Sequence, residues 1–278
     1  ASRIQAAMKE AGVARIDYLV VTHYHTDHVG GAAALAARVP IGTFVDHGET
    51  FESPTDANYT AYLAAWARGR HLQVKPGDTI PITGIDVRVV ASAGDTLRTP
   101  LEGGGAPNPL CAAHTPQADD TSENARSVGL VIRHGRFRMA DLGDLTWNKE
   151  HALACPANLI GPVDLYLTTH HGHPASGPPA LVHAMAPRVA IMNNGAKKGG
   201  AAAAWRIVRA SPGLLDFWQL HRAEASGPEA NTTEALIANL DESTAHDITV
   251  AAQADGAFRV TNGRTGVAKT YPARGAAR

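Results

Sequence analysis

Apolar residues recur at helical spacing over positions 2–11, with Ile4, Ala7, Met8 and Ala11 on one face and Gly12 as a stop, so the chain opens on an amphipathic helix. The period then changes. Residues 16–22, Ile-Asp-Tyr-Leu-Val-Val-Thr, are rich in β-branched and aromatic side chains and read as a buried strand. That strand runs straight into a histidine-rich loop that ends at Gly30-Gly31, and residues 32–38 are strongly helix-forming until Pro40 ends them. A strand at 41–46 and a helix at 56–68 follow, then short β-like runs at 72–74, 79–82 and 85–91, separated by Pro76-Gly77-Asp78 and Gly84. Residues 94–123, with Gly103-Gly104-Gly105 and a polar second half, form a long loop of the kind that is usually functional or mobile. Strands at 127–133 and 136–140 are joined by His134-Gly135 as a hairpin turn. Further strands fall at 164–170 and 188–193 and a helix at 201–210, while 214–220 fits either period. The tail, 248–260 and on to 271, reads as short strands with turns at Asp255-Gly256 and Asn262-Gly263.

Strands alternating with helices predict an α/β architecture. Asp17, Thr22 and His23 have the same spacing as Asp164, Thr169 and His170, which suggests two similar β-α halves with their strand ends brought together. No segment has the composition of a linker, so the expected organisation is one domain over 1–278, with 246–271 as a β-rich tail.

Composition then narrows the functional classes. The 278 residues carry 25 Lys+Arg against 26 Asp+Glu, a net charge of −1, which argues against a basic surface for long nucleic acid. No apolar run reaches the roughly 18 residues of a membrane span, so a water-soluble chain is expected. The sequence begins Ala-Ser-Arg, without Met or a signal-like h-region, and reads as a fragment or processed form, which leaves compartment and oligomeric state open. Cys111 and Cys155 make neither a disulfide framework nor a CxxC motif; two separate thiols are expected, with a single bridge as the alternative. Histidine is the unusual component: six of the 14 lie in the windows 23–28 and 170–173.

His23, His25, Asp27 and His28 form an H-x-H-x-D-H array. In extended chain His23 and His25 project to one side and serve one metal, while Asp27 and His28, where the chain turns into a helix, are aimed at a second. Each ion needs more ligands than this, and the candidates at other strand ends are Asp141, Asp144, His170, His171 and His173.

The run Thr22 to Gly31 resembles the metallo-β-lactamase superfamily of metallo-hydrolases. Asn124-Ala125-Arg126-Ser127-Val128, Leu142-Gly143-Asp144, and His170-His171-Gly172 with Ser176 resemble the ComEC-type branch; together the likeness covers about residues 1–200. It implies a four-layer αββα sandwich with two metals at the sheet edges, and family members begin with two further strands that this chain does not contain. It implies His23 and His25 on the first metal, Asp27 and His28 on the second, Asp144 bridging, and His170 completing the second shell with His171 as its alternate. Asp141 is expected to be structural. Where many members carry a third-motif His, this chain has Glu123 and Asn124, so Asn124 or His114 is the alternate first-metal ligand.

The resemblance further implies a hydrolase in which water activated between two Zn²⁺ ions, with Mn²⁺ or Fe admissible, attacks a phosphodiester. Asp27 is a proton acceptor, and His173, Lys197 and Lys198 are candidate substrate contacts. The neutral charge favours a small-molecule substrate over long nucleic acid. The alternatives are a lactone, ester or β-lactam hydrolase with an apolar pocket drawn from 94–123 and Trp147, and a non-catalytic metal-binding domain.

Overall fold

The computed structural model describes residues 1–275. Helix α1 (Ser2–Glu10) precedes β1 (Ile16–Val20), and two short helices, α2 (Thr26–Val29) and α3 (Ala32–Ala36), connect it to β2 (Ile41–Asp46). Helix α4 (Ala57–Trp66) then leads to β3 (Arg70–Gln73). The three strands form a parallel sheet in the order β1-β2-β3, which is why each connection is a helical crossover. Asp56 fixes the start of α4 by accepting from the amides of Asn58 and Tyr59 at 2.8 and 3.0 Å.

The chain continues through β4 (Thr79–Ile80), β5 (Asp86–Ser92), β6 (Asp95–Thr96), β7 (Ala106–Pro107), β8 (Gly129–His134) and β9 (Phe137–Asp141). Helix α5 (Trp147–Ala154), β10 (Ala157–Asn158), β11 (Leu165–Leu167), α6 (Pro179–Met185), β12 (Val189–Met192), α7 (Ala202–Arg209), β13 (Asp216–His221) and β14 (Ile237–Asn239) follow. Most of these strands make one large sheet, β14-β13-β12-β11-β9-β8-β5-β4, antiparallel from β4 to β9 and parallel from β9 onward. A last antiparallel sheet is built from β15 (Ile248–Ala252), β16 (Phe258–Asn262) and β17 (Ala268–Tyr271).

Side-chain alternation on the large sheet explains the layering. On one face Val90, Val131, Ala140, Tyr166, Ala190 and Phe217 pack with Leu153 of α5, Leu181 of α6 and Val208 of α7. On the opposite face of the β5/β8 end, Val87, Val89 and Leu130 pack with Val45 and Val20 of the three-stranded sheet. That sheet's outer surface is covered by α2, α3 and α4 through Val29, Ala32, Tyr59 and Tyr62. The result is the expected αββα sandwich. The rest of the inner face, through Phe137, Leu165, Val189 and Trp218, is covered by Phe258, Val260 and Tyr271 of the C-terminal sheet.

Several expectations change. Residues 94–123 are organised by β6, by β7 pairing with β10, and by a 3₁₀ turn at Pro109–Ala113. Cys111 and Cys155 are joined in a disulfide, with Cα atoms 5.7 Å apart, rather than standing as separate thiols. The pairing is non-local: the β7/β10 contact and Asn108, whose amide nitrogen donates to the carbonyls of Ala154 and Ala180, bring the loop onto the end of α5. The ambiguous 214–220 is settled by parallel pairing of β13 with β12. Helices α5 and α6 were not expected from the pattern: α5 is short and mostly polar, and α6 begins with Pro179 at a first-turn position where proline starts a helix.

Candidate metal centre

Three chain segments leave strand ends at the same edge. Thr22–His28 follows β1, Leu142–Asp144 follows β9, and Thr168–His173 follows β11; β9 and β11 are parallel neighbours with Asp141 opposite Leu167. The amide of Val128 donates to the Thr22 carbonyl at 2.8 Å, tying the first segment to the large sheet. Gly143 makes the approach possible: it sits at φ +57°, and a Cβ there would meet Thr22 Cβ at 2.9 Å. His170 and His171 both occupy the left-handed region, at φ +53° and +55°, strained for non-glycine residues. They are held by the His170 amide donating to Gly143 O at 2.9 Å and the Gly200 amide donating to His171 O at 2.8 Å.

Asp144 is the centre of the cluster. Its Oδ2 lies 3.3 Å from His28 Nε2, 3.4 Å from His171 Nε2, 3.7 Å from His170 Nε2 and 3.8 Å from His23 Nε2. Asp27 Oδ2 lies 3.2 Å from His28 Nε2 and 3.1 Å from His171 Nε2. Donor atoms of Asp27, His28, Asp144 and His171 all fall within 4.8 Å of one another. Beside them His23 Nε2 and His25 Nδ1 are 3.2 Å apart.

The outward nitrogens are anchored. His171 Nδ1 donates to the Asn193 carbonyl at 3.1 Å, His170 Nδ1 is 3.1 Å from Ser176 Oγ, and His23 Nδ1 is 3.2 Å from Thr22 Oγ1 and 3.4 Å from Ser127 Oγ. Such contacts fix each ring and leave Nε2 for a ligand. His23 is fully buried, and burial, reinforced by His28, lowers its pKa to about 3, so its ring is neutral at neutral pH. Burial likewise lowers His170 to about 4. Burial opposes ionisation of Asp144, but hydrogen bonds with His171 and His28 outweigh it and hold the carboxyl well below its ordinary range. Burial also opposes ionisation of Asp27, and the Lys198 ammonium bonded to it, with His28, brings it to about 2.

The donor set fits divalent cations. Imidazole nitrogens and two ionised carboxylates converge on one small volume, the nitrogen-and-carboxylate donor set that zinc and similar divalent ions take. Asp144 Oδ1 is buried and has no hydrogen-bond partner among the described residues, an open lone-pair site on the carboxylate between the two histidine groups.

The other candidates divide. His171, the expected alternate, stands in the four-residue group, whereas His170 has only the 3.7 Å approach to Asp144. His173 stacks on His170 with ring centroids 4.5 Å apart. Lys198 is on Asp27, but Lys197 turns away to Glu242, 2.8 Å distant. Asp141 accepts from the Gly143 amide at 3.2 Å, in the turn before Asp144. His114 is not at this edge: it stacks on His151 at 3.7 Å, because the disulfide holds its loop against α5. Asn124 leaves its Oδ1 buried and without a partner among the described residues.

Glu123, noticed in the sequence only as a departure, has a definite job. It is buried, accepts from the amides of Tyr24 and Phe51 at 3.2 and 2.6 Å and from Thr50 Oγ1 at 2.8 Å, and lies 2.9 Å from His47 Nε2. It therefore holds the loop after β2 behind the H-x-H-x-D-H array. Glu52 carries no signal in the sequence, since nothing in its local pattern points to the histidines; its Oε1 lies 3.2 Å from His25 Nε2.

Residues 2–110 match the family model described as the metallo-beta-lactamase superfamily. The chain is 34% identical over 97 residues to a hydroxyacylglutathione hydrolase of Rhodopseudomonas palustris, covering 35% of this chain and 32% of that protein. It is 34% identical over 88 residues to a hydroxyacylglutathione hydrolase of Acidiphilium cryptum, covering 32% and 30%. The chain thus spans about a third of the length of these curated relatives. Among solved structures it is similar to the metallo-beta-lactamase fold protein YhfI of Bacillus subtilis, at 10% identity, TM-score 0.38, covering 66% of this chain and 68% of that one.

Proposed function

We propose, on the premise that residues 2–110 match the metallo-β-lactamase superfamily, that the chain is a hydrolase of small phosphodiesters working with two divalent cations, zinc first among them. His23, His25 and Asp144 would hold one ion, and Asp27, His28, His171 and Asp144 the other. The observation that carries this reading is the convergence of Asp27, His28, Asp144 and His171 within 4.8 Å, beside the His23/His25 pair.

Two such cations, when bound, acidify water and neutralise charge on the attacked group. The protein's own part is orientation. Thr22 and Ser127 fix the His23 ring, and Asn193 fixes that of His171. Asp27, held ionised by Lys198 with its pKa near 2, is a weak base and serves as a carboxylate donor at the edge of the cluster rather than as the proton acceptor. Lys198, more than half exposed, can leave Asp27 to meet an anionic substrate oxygen. His173, stacked on His170, is a second candidate contact.

Lys198 beside the donors and the ComEC-like motif series around Asn124, Asp144 and His170 support a diester. Trp147 does not support the acyl-pocket alternative: its indole N–H donates to the Thr115 carbonyl and its ring stacks toward His114. The second reading, thioester hydrolysis, is favoured by the two hydroxyacylglutathione hydrolases, whose likeness covers about a third of this chain.

Zinc- and manganese-loaded protein assayed on bis-p-nitrophenyl phosphate, a hydroxyacylglutathione thioester, a homoserine lactone and a chromogenic cephalosporin separates these readings. Diester turnover that disappears on chelation is expected. Thioester or lactone turnover without diesterase activity would overturn the first reading.

A further inference from the structure

A second cluster of metal-ligating side chains lies away from the strand-end donors, where the loop after β7 meets α5. Cys111 and His114 flank one turn of 3₁₀ helix, with the His114 amide donating to the Cys111 carbonyl at 3.2 Å. His151 and Cys155 are four residues apart at the end of α5, on one face. The sequence here reads C-x₂-H and H-x₃-C, two short-spaced pairs that together offer the Cys₂His₂ donor set of a tetrahedral zinc site. The fold brings the pairs together: ligand atoms of Cys111, His151 and Cys155 lie within 4.8 Å of one another, and the His114 and His151 rings stack at 3.7 Å. All four residues are half-buried, so reductant and metal can reach them.

We propose that Cys111, His114, His151 and Cys155 form a structural zinc site, separate from the catalytic cluster, that loads when the Cys111–Cys155 disulfide is reduced. Two thiolates on one tetrahedral zinc sit about 3.7 Å apart, given Zn–S near 2.3 Å, a separation that side chains on Cα atoms 5.7 Å apart reach by χ1 rotation. His114 stands outside that three-residue group, stacked on His151, and would swing its ring out of the stack to become the fourth ligand. A dithiol gives two electrons and two protons to the Cys111–Cys155 bond and closes into its own disulfide; zinc then displaces the two thiol protons to solvent.

Either linkage clips the loop to α5, and the loop runs on to the candidate centre. Beyond His114, the Gln117 side chain donates to the Pro174 carbonyl at 3.1 Å, and Asn148 of α5 donates to the Gln117 carbonyl at 2.8 Å. The zinc site would thus keep this loop in place under reducing conditions, where a disulfide cannot.

The test uses the full chain, reduced with dithiothreitol, desalted without oxygen, and titrated with Co²⁺. Two reactive thiols, a thiolate-to-cobalt charge-transfer band absent from the oxidised protein, and its displacement by zinc are expected. The nitrogen and oxygen donors of the strand-end cluster give no such band. His114→Ala/His151→Ala should weaken cobalt binding at the thiolates by at least about tenfold. If reduction loosens the fold, cobalt should restore the circular dichroism of the oxidised protein. Two exposed thiols with no charge-transfer band, or a band of equal affinity in the double histidine variant, would overturn the proposal.

Discussion

Asp144 stands between two groups of imidazoles, and this position decides what its loss would do. Replacing it with Ala removes the carboxylate that faces His23, His28, His170 and His171, and diester turnover should fall by more than about a hundredfold; unchanged turnover in Asp144→Ala would show the assignment to be wrong. Lys198→Ala should raise KM for an anionic diester with little change in kcat, because Lys198 is paired at the rim and is not in the donor group. The reverse pattern in steady-state kinetics would remove its role as a substrate contact. At this scale the sequence was informative wherever ligands are contiguous: His23, His25, Asp27 and His28 are legible because one turn of chain carries them all. The choice between His170 and His171 was not legible, since it depends on two consecutive left-handed residues after β11. Nor was the Lys198–Asp27 contact, which spans 171 positions.

Elements repeat this division between local and distant information. Strands β1, β2, β8, β9 and β12 follow from β-branched runs bounded by turns. Helix α5 is not legible in the pattern because its buried side includes a carboxylate: Glu150 is fully buried beside Leu153 and Ala154, where a hydrophobic pattern would want a leucine. Its Oε2 accepts from the Gly177 amide, while burial pushes its pKa up from 4.5 to about 8. The folded state therefore keeps a proton that the unfolded chain releases above about 4.5, so this group's contribution is full below that value and is lost as pH rises toward 8. Glu150→Gln should raise Tm by a few degrees at pH 8 and leave it nearly unchanged at pH 5, measured by thermal unfolding. A gain as large at pH 5 would contradict a proton on Glu150.

The whole molecule is a sandwich whose larger sheet is too wide for the smaller one, and the C-terminal strands cover the remainder. The tail's β character was legible in its alternation and its Asp-Gly and Asn-Gly turns. Its partner was not, because the contact is made by residues far apart in sequence. Tyr271 O–H donates to Asp216 at 2.8 Å and accepts from the Trp218 indole N–H at 3.1 Å, and Arg274 and Arg188 both donate to buried Asp164. We propose on these contacts that the domain unfolds as a unit: chemical denaturation should give one coincident transition by fluorescence and circular dichroism. Tyr271→Phe should cost about 1 kcal/mol. Two separated transitions would instead mark the tail as an independent unit.

Metal stoichiometry tests most directly whether the strand-end cluster is a two-metal centre. Oxidised protein, with its disulfide intact, reconstituted with zinc and dialysed, should bind about two ions per chain by elemental analysis, and His171→Ala about one. Fewer than one ion in the parent protein, or two retained in His171→Ala, would contradict it.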